Sequence, residues 1–63
     1  MEKIEQISAG CYVKGDYAAV TVETQTGDWK WAVIGPKSNV EVLALYIYRE
    51  DALEDLKQRI PVQ

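Results

Sequence analysis

Thr26-Gly27-Asp28-Trp29-Lys30-Trp31-Ala32-Val33-Ile34 is the stretch whose reading decides this fold, because it joins a turn signal to a strand carrying both tryptophans of the chain. Side chains alternate across a strand, so Trp29 and Trp31 share one side and Lys30 takes the other. The side with the tryptophans is either a hydrophobic core or a stacking surface for a ligand. The preceding turn determines which residues of the neighbouring strand accompany them.

Gly27-Asp28 reads as a two-residue turn, since Gly supplies the positive φ of a tight hairpin and Asp tolerates the adjoining position. Gly15-Asp16 reads the same way, between Cys11-Tyr12-Val13-Lys14 and the run from Tyr17 to Thr24. Two-residue loops set Lys14 opposite Tyr17, Val13 opposite Ala18 and Cys11 opposite Val20. Across the second hairpin they set Thr26 opposite Trp29, Thr24 opposite Trp31 and Val22 opposite Val33. On this register a face of Cys11, Val13, Ala18, Val20, Val22, Thr24, Trp29, Trp31 and Val33 forms without a charge, and it is the expected core face. The opposite face holds Tyr12, Lys14, Tyr17, Ala19, Thr21, Glu23, Gln25, Lys30, Ala32 and Ile34. A slip of a single residue would exchange a strand's faces.

Working outward, Gly35-Pro36 closes this strand, because Pro supplies no ladder donor. Val40 to Tyr48 has two readings. Ser38 followed by Glu41 resembles a capping box that would start a helix running to Ile60, but β-branched and aromatic residues dominate and the apolar residues surround every helical face. A strand is preferred, with Leu43, Leu45 and Ile47 toward the helix and Val42, Ala44, Tyr46 and Tyr48 on the outer face. Asp51 with Glu54 forms a capping box for a terminal helix, Lys57 and Arg59 suit its final turn, and Leu53, Leu56 and Ile60 make its apolar stripe beside Ala52. Pro61 ends it. At the amino end, Ile4 and Ile7 fit a helical turn or a strand continuing toward Cys11 through a bulge at Gly10. The expected fold is α+β: a single compact domain over residues 1–63, with a small antiparallel β-meander of three or four strands and the C-terminal helix packed on the tryptophan face.

A chain of 63 residues lies where cores are marginal, so association would help it. The formal charge of -3 argues against a protein whose main task is neutralising a phosphate backbone. Cys11 is alone, which removes an intrachain disulfide and a thiolate zinc site. Met1 to Gln6 lacks a signal peptide's apolar run, and Val40 to Tyr48 is half a membrane span and contains Glu41. A cytoplasmic protein without a membrane partner is expected.

Catalytic chemistry is poorly supplied. The chain has no histidine, and Cys11 among Val13, Val20 and Val22 reads as an inert core thiol. Glu50, Asp51, Glu54 and Asp55 offer oxygen ligands, yet helix capping and a solvated face explain them without an ion. The glycines are spread among strands and form no phosphate cradle. Neither an enzyme nor a cofactor or metal is expected.

The tyrosine-bearing face is the expected partner site, because tyrosine combines contact area with a hydroxyl for a wet rim. Tyr12, Tyr17, Lys30, Ile34, Tyr46 and Tyr48 are the expected contacts of a non-enzymatic protein-binding or modulatory module. Its partner would be a second copy, as a homodimer, or a larger protein, met through this sheet face or a strand edge. Two other readings rank behind it. In the first, single-stranded nucleic acid stacks on Tyr12 or Tyr17 while Lys14, Lys30 and Lys37 meet phosphates. In the second, the chain is a structural dimerisation protein with no separate ligand.

Overall fold

A computed structural model describes residues 3–59 of the chain. Five strands, β1 (Glu5–Ser8), β2 (Cys11–Lys14), β3 (Tyr17–Glu23), β4 (Trp29–Gly35) and β5 (Glu41–Tyr46), form an antiparallel sheet in sequence order, followed by the helix α1 (Arg49–Gln58). The class is α+β as expected, but the sheet has five strands rather than three or four. The additional strand is β1, which turns back at Ala9-Gly10 to pair with β2 instead of running on through Gly10. Gly10 O accepts a hydrogen bond from Thr21 N at 3.0 Å, and a Cβ at Gly10 would lie 2.5 Å from Thr21 Oγ1, so glycine permits this close approach.

The first hairpin has the expected register, with Cys11 opposite Val20 and Lys14 opposite Tyr17. Gly15 has φ 58 and, among the described residues, no non-glycine residue has positive φ, the II′ pattern that a Gly-Asp pair favours. The second hairpin differs. Thr21 lies opposite Trp31 and Val22 opposite Lys30, so the loop is Gln25-Thr26-Gly27, closed by Thr24 N donating to Asp28 O at 2.7 Å and Gly27 N donating to Thr24 O at 2.9 Å. Gly27, with φ 87, occupies the third loop position, as in a type I turn with a glycine bulge. Thr24 Oγ1 accepts from Asp28 N at 3.2 Å, and Thr26 Oγ1 donates to Asp28 Oδ2 at 3.1 Å, which fixes the longer loop. The extra loop residue exchanges the faces of β4 relative to β3.

Trp31 and Val33 consequently join Tyr12, Tyr17, Ala19 and Thr21 on the side that α1 covers. Tyr17, Ala19, Val33, Ala52 and Leu56 make the core cluster, with Ile4, Tyr12, Trp31, Ala44, Tyr46 and Leu53 packed around it. The expected core members Cys11, Val13, Ala18, Val20 and Val22 lie on the opposite side of the sheet.

Residues 41–46 form the preferred strand, but Ala44, Leu45 and Tyr46 take the faces opposite to those expected. Ala44 and Tyr46 turn toward the helix, while Leu45 pairs with Ala32 and is 54% exposed. A bulge between Val33 and Ile34 leaves Leu43 as an extra residue, so Val42 also meets the outer side, opposite Ile34. Helix α1 starts earlier than the capping box suggested: Tyr48 is its extended N-cap without a side-chain bond, which places Glu50 and Asp51 in the first turn and Lys57 in the last. Their charges complement the helix dipole. The expected stripe residue Ile60 and terminator Pro61 lie outside the described residues.

Candidate functional site

The register defines a second sheet surface, opposite α1. Glu5, Val13, Ala18, Ile34 and Val42 form a row across its strands, and Ser8, Cys11, Val20, Ala32 and Leu45 form the next. Val22 and Lys30 pair beyond them. Glu5 and Lys30 are the charged side chains in these rows among the described residues. The surface is otherwise aliphatic at its centre, and no described element packs over it.

Its exposure rises toward the edges. Ala32 is buried between Val20 and Leu45, while Cys11, Val13, Ala18, Val20, Val22 and Ile34 are half-buried by their neighbours. Val42, Leu45 and Ile7 are 54–63% exposed. At the end with the first turn, Val13, Ala18, Ile34 and Val40 line a small, mostly apolar groove of about 100 Å³. An aliphatic side chain from another molecule could seat there.

The residues expected to bind a partner do not converge. Lys30 and Ile34 belong to the open surface, but Tyr12, Tyr17 and Tyr46 lie on the helix side. Tyr17 is 8% exposed in the core, and the Tyr12 and Trp31 rings stand 5.8 Å apart at 50°. Tyr48 is exposed at the start of α1. The lysine and tyrosine set suggested for nucleic acid is dispersed too: Lys14 Nζ donates to the Lys57 and Arg59 carbonyls at 2.5 and 2.9 Å, closing the carboxy end of α1. Trp29, suggested as a core anchor, is 63% exposed at the end of β4.

A broader open depression of about 570 Å³ is lined by Tyr46, Asp51, Glu54, Asp55, Gln58 and Arg59. Its polar groups already satisfy one another. Tyr46 OH donates to Asp55 Oδ2, and Arg59 Nε donates to Asp55 Oδ1 at 2.7 Å. The bond to Asp55, aided by burial and the carboxylate charge, pushes the Tyr46 phenol above its ordinary value. Burial alone would raise the Asp55 carboxyl, but the bonds from Arg59 and Tyr46 and the guanidinium charge hold it below its ordinary value. This arrangement offers neither an ionised phenol nor a free base at neutral pH. It ties α1 to β5.

Among the described residues, no cluster of three or more Cys, Asp or Glu side chains is arranged to hold a metal ion. Nor is any described helix long and apolar enough to cross a membrane. No protein-family model matches the chain, and neither curated proteins nor solved structures give a match.

The open surface was missed because its residues formed the most uniformly apolar set in the sequence. The signal that could have placed them is Gly27: in Thr24-Gln25-Thr26-Gly27-Asp28 it stands third in a three-residue loop, where a type I turn with a bulge needs glycine.

Proposed function

We propose that this protein is a non-enzymatic protein-binding module that works through the open sheet surface centred on Val20 and Ala32. The observation carrying this reading is a nearly uncharged aliphatic face on a sheet covered by a helix on its other side. An antiparallel sheet exposing a face to water normally alternates polar residues outward. Here, apart from Glu5, Ser8 and Lys30 at the margins, the outward positions are Val, Ile, Leu, Ala and Cys, the charge-poor composition of an interface core.

The face suits binding better than the strand edges. The edge strand β1 has 4 residues and its register shifts between Gln6 and Ser8, while β5 carries the bulge at Leu43. Short, bulged edges interrupt the row of hydrogen-bonding groups that an added strand would need. The sheet face retains a regular surface.

The test is site-specific photocrosslinking in the source cells, with a photoreactive phenylalanine analogue replacing Val20 or, as a control, Glu54 on the exposed side of α1. Protein adducts at Val20 and none at Glu54 are expected. Adducts at neither position would refute a binding role for the open surface.

A further inference from the structure

We draw no further inference here: the strongest candidate, the aliphatic sheet surface opposite α1 with its small groove beside Val13, Ala18, Ile34 and Val40, names no particular occupant, because nothing in the structure shows what covers it.

Discussion

Two glycines separate the backbone strain of a substitution from its steric cost. Gly27 has φ 87 and nothing lies within 4 Å of a Cβ built there, whereas Gly35 has φ 142 and its Cβ would lie 2.6 Å from Tyr17 Cδ1 and 2.8 Å from Asp16 O. At Gly27→Ala the cost is the left-handed conformation, ~1–2 kcal/mol, offset by the ~0.4–1 kcal/mol gained because alanine has fewer unfolded states to lose. A net loss of about 1 kcal/mol is expected. It corresponds to a fall in Tm of about 5 °C for a domain of this size.

Gly35→Ala adds a collision to a less accessible backbone region. The neighbouring atoms include a backbone carbonyl and the Tyr17 Cα at 3.2 Å, so relief requires movement of the first turn or of the core tyrosine. A loss of about 3 kcal/mol or more is expected. That is a large share of the ~3–9 kcal/mol available to a chain of 63 residues. Urea denaturation of both variants at one fixed protein concentration measures the difference. Gly27→Asn should recover most of the alanine loss, because Asn tolerates the left-handed region, and Gly35→Asn should recover none. Equal losses at the two glycines, or a larger loss at Gly27, would refute the three-residue loop and the close packing at Gly35.

Leu56→Ala, at a fully buried position of α1, should cost about 2–5 kcal/mol in urea denaturation. Lys14→Met removes the ammonium from the Lys57 and Arg59 carbonyls; it should cost about 1 kcal/mol and speed amide exchange in the last turn of α1. Because the folded state lowers the Asp55 pKa, its contribution is present above the unfolded value near 3.8 and is lost as pH falls through the folded value. Asp55→Asn should thus destabilise at neutral pH, with the gap from wild type narrowing during acid denaturation as pH falls below about 4.

The class and the boundaries of most elements were legible because their signals are local. Gly15-Asp16 specified a hairpin whose pairing matches the structure, and the β-branched and aromatic content of residues 40–48 correctly favoured a strand. The Ser38-Glu41 pair carried less information, because a capping motif cannot make a helix of residues whose apolar groups surround every helical face. Sheet sidedness was less legible. It depended on the parity of the Gln25–Gly27 loop, where Gly27-Asp28 offered a plausible two-residue turn while the Thr24, Thr26 and Asp28 side chains hold a three-residue one. Correcting it places Tyr12 and Tyr17 on the side that α1 covers and leaves Val13, Val20 and Val22 outside. The bulge at Leu43 breaks simple alternation within β5, so Val42 lies on the outer side as expected while Ala44 and Tyr46 turn toward the helix.

If the valine face is an interface between copies, folding and association share the same apolar surface, and stability must depend on protein concentration. Two chains of 63 residues unfolding together absorb on the order of 90 kcal/mol at about 0.7 kcal/mol per residue. Mass action then predicts a rise in Tm of about 5 °C for each tenfold increase in concentration while the folded protein is dimeric. Val20→Asp should flatten that dependence, since its carboxylate faces water in a monomer but would be buried in a dimer. Because Val20 is half-buried within one chain, Val20→Asp should melt somewhat lower already near ~1 µM, and the gap from wild type should widen as concentration rises, where sheet packing selects against the charge. Scanning calorimetry or circular dichroism across a hundredfold range measures this divergence. A constant gap between the curves would assign the effect of Val20→Asp to the fold of one chain and contradict a shared interface.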